Sequence, residues 1–256
     1  PIDEIPDLVI SCGGKSVYLS IYLKKKYPNI INIHIQNPKI SSKNFSYVIA
    51  PNHDGLYGDN IINSSGAIHH FKQFNNLKNH YEINTKNLIT CIIGGENNHY
   101  NFSKENTLDL CERIKKIKSY NDNQEILVIT SRRTNQEIKH ILNKELNSIS
   151  KLWIGEGKNP YEFALYNSSY FIITSDSTSM ISEASISGKP IYVYQLPMKR
   201  KSKRFIRFHE EFKKMNITRD FNTLDKLENW TYTKLEESER IAGIIKKRII
   251  ERKNES

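Results

Sequence analysis

Short apolar runs alternate with amphipathic stretches along nearly the whole chain, and that alternation restricts the fold more than any other property of the sequence. "DLVISCGG" reads as a strand ending in glycines, "SVYLSIYLKKKY" as a helix, and "INIHIQ" and "YVIAP" as further strands. A polar stretch, "FNNLKNHYEINTKN", follows, and then a second series begins. Its strands are "LITCIIGG", "EILVIT", "KLWIG", "YFIIT" and "PIYVYQ", separated by helical patterns in "TLDLCERIKKIKSY", "NQEIKHILNKEL", "PYEFALYN" and "SMISEASISG". Strands without polar alternation are buried on both faces, which parallel sheets covered by helices achieve.

Two such series joined by a polar linker near Phe74 to Lys86 predict an α/β protein with two Rossmann-like domains facing a cleft. The expected division is 1–80, 81–230 and a carboxyl-terminal helix in 231–256 that crosses back to the first domain. The first residue is Pro1, only a few positions before a strand, so the amino-terminal domain is expected to be incomplete.

With 256 residues, 38% of them hydrophobic and 26% charged, the chain can bury one large core or two modest ones. The net charge of +10 invites an anionic partner, but Asn, Lys, Ile and Tyr are frequent throughout, and such a bias raises the charge without a binding role. No helix-turn-helix, RNP-type or zinc signature accompanies the charge, so nucleic acid is not the expected partner. Cys12, Cys91 and Cys111 are odd in number and far apart, which argues against a disulfide framework and for a reducing compartment. No apolar run approaches the roughly 18 residues of a membrane span. A cytoplasmic location, at the inner face of a membrane, is the expectation.

Ligands of open parallel sheets bind beyond the carboxyl ends of the strands. There the sequence places Asn52, His53 and Asp54; Gly94 and Gly95; Ser131, Arg132 and Arg133; and Ser175 to Ser179. Ser177, Thr178 and Ser179 open a helix whose unpaired N–H groups and small side chains suit a phosphate, although one of Asp176, Ser177 and Thr178 must serve as its cap. Met180, Ile181, Ala184 and Gly188 mark the buried side of that helix, leaving Glu183 at its edge as a carboxylate for a sugar diol. Arg132 and Arg133 offer guanidinium groups to a diphosphate, with a salt bridge as the competing use. Gly94 and Gly95 would let backbone approach an anion or sugar. His53 and Asp54 are the candidate general bases, and loop structure is the default for both. Trp153 in "WIGEGKNPY" serves a nucleobase or the core. No Asp-x-Asp, His-Glu-x-x-His or close Cys pair is present, so no metal site is expected.

The densest basic run, "KRKSKRFIRFHEEFKK", carries Phe205, Phe208, Phe212 and Met215 at helical spacing. One face of this helix either packs on the domain or contacts an anionic membrane.

Taken together, "TSDSTSMISEASISGKPIYVY", "VITSRRT", "VIAPNHDG", "NIINSSGAIHHF" and "DLVISCGGKS" resemble the mitochondrial fission "elongated mitochondria" family, over Asp7 to about Phe221. Bacterial members of that family are read as glycosyltransferases of the GT-B type. The resemblance implies a GT-B fold whose second domain holds a nucleotide-sugar donor, with Glu183 on the donor ribose and the turn at Ser177 to Ser179 on its diphosphate. It also implies a further βα segment with a glycine-rich turn on the acceptor side, which these residues lack. The implied function is metal-independent glycosyl transfer in envelope polysaccharide or lipopolysaccharide assembly. The partners would be a nucleotide sugar as substrate, with no cofactor, and a lipid-linked or polysaccharide acceptor. The alternative is a non-catalytic GT-B-like adaptor at a membrane surface.

Overall fold

The computed structural model describes residues 4–71, 79–121, 123–224 and 226–254. The start of the expected linker, residues 74–78, lies outside them. The chain forms two compact units, Pro1–Ile68 with Glu236–Ser256, and His69–Leu235. Both are built on parallel sheets, as the apolar runs predict.

The first unit has four strands, β1 (Leu8–Cys12), β2 (Ile31–Ile35), β3 (Tyr47–Pro51) and β4 (Ile61–Ser64), paired in that order. Helix α1 (Val17–Lys26) connects β1 to β2. On one face Val17, Phe45, Val48, Ala50 and Ile61 form a core. On the other, Ile33, Ile49 and Ile62 pack on Ile241 of the final helix of the chain, Glu237–Asn254. That helix is tied to the unit by Glu237, which accepts from the Ser65 N–H at 2.8 Å, and by Arg240, which donates to the Asn63 carbonyl at 2.6 Å. Strand β4 escapes sequence reading because Ile61 and Ile62 stand alone between "GDN" and "NSSG".

The second unit is a six-stranded sheet. Its strands are β5 (Leu88–Ile93), β6 (Glu125–Thr130), β7 (Lys151–Trp153), β8 (Tyr170–Thr174), β9 (Ile191–Tyr194) and β10 (Thr218–Asp220). They lie side by side in the order β10-β9-β8-β5-β6-β7. The chain therefore starts in the middle, builds outward through β6 and β7, then returns to the other side of β5 to lay down β8, β9 and β10. This is the order of a doubly wound nucleotide-binding fold, and its direction reverses between β5 and β8. The edge strand β10, "TRD", has too little apolar character to be read from sequence.

Helices cover both faces. Those that follow β5 and β6, α2 (Lys104–Ser119) and α3 (Gln136–Leu146), pack through Leu110, Ile114, Ile138 and Leu142 against Cys91, Val128 and Ile172. On the opposite face lie α4 (Tyr161–Asn167), α5 (Thr178–Ala184) and α6 (Lys203–Lys214). Leu165, Ile181, Phe208 and Phe212 from these helices meet Ile92, Phe171, Ile173 and Val193. Residues i and i+1 of one strand thus serve different helices, which explains why the strands show no polar alternation.

The boundaries differ from those suggested by composition. The first unit ends at Ile68 rather than near residue 80, because His69 hydrogen-bonds the Ser182 backbone and Phe71 packs 5.9 Å from the Tyr161 ring, both in the second unit. The second unit continues to Leu235 because Trp230 and Leu235 are buried in its core clusters.

Candidate functional site

The crevice where strand order reverses is walled by the turns that leave β5 and β8. Asp176, just beyond β8, has a side chain with no exposure to water. Its Oδ2 accepts the Gly95 N–H at 3.1 Å and pairs with Arg133 Nη2 at 2.7 Å, while Oδ1 accepts the Thr174 hydroxyl at 2.6 Å. The Thr174 hydroxyl oxygen in turn accepts the Gly94 N–H at 2.8 Å. Asn97 donates to the Asp176 carbonyl at 3.1 Å. A buried carboxylate demands such a complete set of partners.

This arrangement gives three of the expected site residues structural roles. Arg133 is held by the Asp176 carboxylate and by the Gly95 carbonyl at 3.3 Å, which is the competing salt-bridge use. Packing requires glycine at both Gly94 and Gly95. A Cβ on Gly94 would lie 2.2 Å from both Asp176 carboxyl oxygens, and one on Gly95 would lie 2.1 Å from the Arg133 carbonyl oxygen. Arg132 is exposed at the same strand exit and makes no hydrogen bond or ion pair among the described residues. It is the guanidinium here that remains available to an anion.

Across the turn, α5 begins with Ser177 as its cap, whose hydroxyl accepts the Met180 N–H at 3.4 Å. Thr178 is buried, and Ser179 is exposed. Met180, Ile181 and Ala184 are buried on the expected side. Glu183 is half-buried and accepts a hydrogen bond from the Tyr161 hydroxyl. Burial raises the Glu183 carboxyl above its ordinary range, opposed by the Tyr161 bond and by the nearby His70. Burial and the Glu183 charge both hold the Tyr161 phenol well above its ordinary pKa, so it remains a donor. The rings of His70 and Phe71 lie beside this pair with centroids 4.4 Å apart, tilted by 32° to each other. Tyr161, His70 and Phe71 were not identified as site residues from sequence, although "HHF" and "NPYEF" are visible there. Trp153 is partly buried against Ile83, Leu88, Leu127 and Ile129, a core position.

Behind the turn, Ser175 is fully buried, and its hydroxyl accepts the Leu196 N–H at 2.9 Å. His209 of α6 lies with Nε2 at 3.0 Å from the Ser175 carbonyl oxygen, so Nε2 must carry the proton. Burial lowers the His209 pKa to about 4, against an ordinary 6.5. Between those values the unfolded chain binds a proton that the folded one refuses, so stability present above the ordinary pKa is lost as pH falls toward the folded one. The expected loss between pH 7 and pH 4 is about 3 kcal/mol, the greater part of a shift taken at roughly 1.4 kcal/mol for each unit. Denaturant titrations from pH 7 to 4 on wild type and His209→Gln check this; equally steep profiles would exclude His209 as the cause.

The basic run resolves into α6. Phe205, Phe208 and Phe212 are buried in the core, whereas Met215, expected on the same face, is 38% exposed. The helix has ended at Lys214, so Met215 no longer follows its periodicity. Among the described residues no helix is long and apolar enough to cross a membrane. No cluster of three His, Cys, Asp or Glu side chains among them could hold a metal ion.

In the first unit, residues 52–54 form a single 3-10 turn closed by Gly55 at φ 66°, a conformation that favours glycine. His53 is 1% exposed, and its Nε2 lies 3.9 Å from Asp54 Oδ1. The two side chains are brought together, but in an enclosed position.

Comparison with known proteins places the chain in context. Residues 1–249 match the family described as "Mitochondrial fission ELM1". An uncharacterized protein of Rickettsia prowazekii (strain Madrid E), RP120, is 30% identical over 96% of this chain and 80% of its own length. The mitochondrial fission protein ELM1 of Arabidopsis thaliana is 22% identical over 96% of this chain; the match spans 65% of the plant protein. In fold, the chain is similar to the crystal structure of the UDP-GlcNAc 2-epimerase of Neisseria meningitidis bound to UDP-GlcNAc. That similarity has a TM-score of 0.51 and 14% identity over 94% of this chain and 76% of the other. The likeness supports a GT-B-like fold, and the family match covers almost the full sequence.

Proposed function

The chain belongs to the mitochondrial fission ELM1 family, and from that premise we propose that its second unit binds a nucleotide sugar and serves a metal-independent glycosyltransferase. One observation carries this: the strand order reverses between β5 and β8, and Gly94 and Gly95, Arg132 and the start of α5 follow the carboxyl ends of the neighbouring strands β5, β6 and β8. Crevices of this kind receive nucleotides in doubly wound sheets. The Neisseria epimerase of similar fold holds UDP-GlcNAc. In this reading Glu183 accepts the ribose hydroxyls, and Arg132 with the first turn of α5 faces the diphosphate.

Transfer would proceed by attack of an acceptor hydroxyl on the anomeric carbon. The bond from that carbon to the diphosphate oxygen breaks, its electron pair leaves with the nucleoside diphosphate, and the hydroxyl proton passes to a base. His53 and Asp54 are enclosed, so their use as that base would require the turn at 52–54 to open; nucleotide binding does not depend on them. Arg132 would offset the charge that develops on the leaving group. A lipid-linked or polysaccharide acceptor in envelope assembly, at the cytoplasmic face of a membrane, is the extended form of the proposal. Membrane contact through α6 would be electrostatic, because its aromatic face is buried. A non-catalytic adaptor is the second reading, favoured by the fission role named for the Arabidopsis relative.

Nucleotide binding is tested by thermal and denaturant shifts with UDP, GDP and ADP, each with and without chelator. A bound nucleotide at 100 times its Kd should stabilise the protein by about 2.7 kcal/mol. Glu183→Gln should weaken that nucleotide about tenfold or more, because charge-assisted hydrogen bonds contribute about 1.5–3 kcal/mol each. A shift abolished by chelator would refute the metal-free reading, and unchanged affinity in Glu183→Gln would remove Glu183 from the site. Binding without transfer to any acceptor would favour the adaptor.

A further inference from the structure

Glu183 does not stand alone at the edge of α5. Its Oε2 accepts the Tyr161 hydroxyl, and its carboxylate feels both burial and the nearby His70. We infer that Tyr161 is a positioning residue for this site, holding the Glu183 carboxylate ionised and oriented for a vicinal diol, so that the site selects ribonucleotides. The inference rests on the nucleotide reading above.

A half-buried carboxylate without a donor tends either to take up a proton or to turn toward water. A protonated or rotated Glu183 could not accept two hydroxyls side by side. The Tyr161 bond works against both outcomes, since it favours the charged form and fixes one oxygen. A carboxylate has about four acceptor positions, so one phenol leaves room for the two O–H groups of a ribose. Tyr161 can hold this post because its own proton is not lost: burial and the Glu183 charge keep the phenol protonated.

The ring is itself braced. Tyr161 packs against two core clusters of the second unit, with Phe71 5.9 Å from its centre. Its N–H donates to Asn159 Oδ1 at 2.9 Å, which secures the start of α4. One link earlier, Tyr81 donates to the Lys158 carbonyl at 2.9 Å. The loop before α4 contains Gly155 and Gly157 at φ 109° and 73° and turns sharply to deliver Tyr161. Tertiary contacts therefore set the hydroxyl against Glu183, and the neighbouring loop holds it there.

The test uses the whole chain, isothermal titration, and two probes: UDP and its 2′,3′-dideoxy analogue. Tyr161→Phe keeps the ring and its packing and removes only the hydroxyl. It should weaken UDP about tenfold, the loss that a hydrogen bond to a charged group sustains, and leave the dideoxy analogue unchanged. In a Glu183→Gln background the same change should have no further effect. Equal weakening of both probes would mean a merely structural role and overturn the inference. So would UDP binding by Tyr161→Phe at wild-type affinity while Glu183→Gln binds weakly, and in that case the nucleotide reading survives. Failure of the wild type to bind any of UDP, GDP and ADP overturns the nucleotide reading, and the role of Tyr161 falls with it; where GDP or ADP is the nucleotide bound, it and its 2′,3′-dideoxy analogue replace the UDP pair.

Discussion

Gly95→Ala is expected to destabilise the second unit by about 3 kcal/mol, at the upper end for overpacking. The added methyl would sit 2.1 Å from the Arg133 carbonyl oxygen, 2.4 Å from its carbon and 2.9 Å from the Thr134 nitrogen. All three are backbone atoms, so no side chain can swing away to relieve the contact. The turn that carries them is also pinned. The Arg133 N–H donates to Ser131 Oγ at 3.1 Å, and the Thr134 hydroxyl donates to the Gly94 carbonyl at 2.6 Å. Moving Arg133 would break these bonds and draw its guanidinium from Asp176. The measurement is a urea titration followed by a probe in the second unit, comparing midpoints at unchanged slope. A wild-type midpoint would show that the turn is far softer than its hydrogen bonds imply.

Arg133→Met should cost a similar amount, about 3 kcal/mol, because it strands a buried charge. Asp176 has no exposed side-chain surface, and Arg133 is its cationic partner at 2.7 Å. The Gly95 N–H and the Thr174 hydroxyl remain, but they satisfy a carboxylate without neutralising it. The low end of the range for buried pairs applies because the Arg133 side chain is 41% exposed and surrenders less hydration on pairing. The variant also separates two uses of one residue. A phosphate-binding Arg133 predicts lost nucleotide affinity at near-normal stability. A structural Arg133 predicts a lowered melting temperature first, with nucleotide affinity of the folded protein little changed. Arg132→Met, on the exposed neighbour, should alter stability little and affect affinity alone.

Much of the fold was legible in the sequence because the signal is local. Apolar runs such as "LITCII" and "YFIIT" report burial on both faces, and the helical spacing of Leu110, Ile114 and Ile117 reports a face turned to the core. Such patterns reach across a few residues, the same range as the helical turn and the strand pleat that they encode. Strand exits could be named for the same reason, and with them Gly94, Gly95, Arg132, Arg133 and the start of α5. Strands β4 and β10 were missed where that local signal is thin: two isoleucines in one case and a polar edge strand in the other.

What the sequence alone determined, then, was the class of sheet and the loops where chemistry could gather. The tertiary structure decided which groups meet in those loops. The Gly95 N–H finds Asp176 at a separation of 81 residues, Tyr161 finds Glu183 at 22, and His209 finds the Ser175 carbonyl at 34. None of these pairs leaves a periodic trace, because each depends on the order in which β5, β8 and β9 lie side by side and on the packing of α4, α5 and α6 over them. That order set Arg133 against the Asp176 carboxylate and Glu183 against the Tyr161 phenol. Hydrophobic patterning specifies faces; the meeting of polar groups follows only once those faces have been buried together.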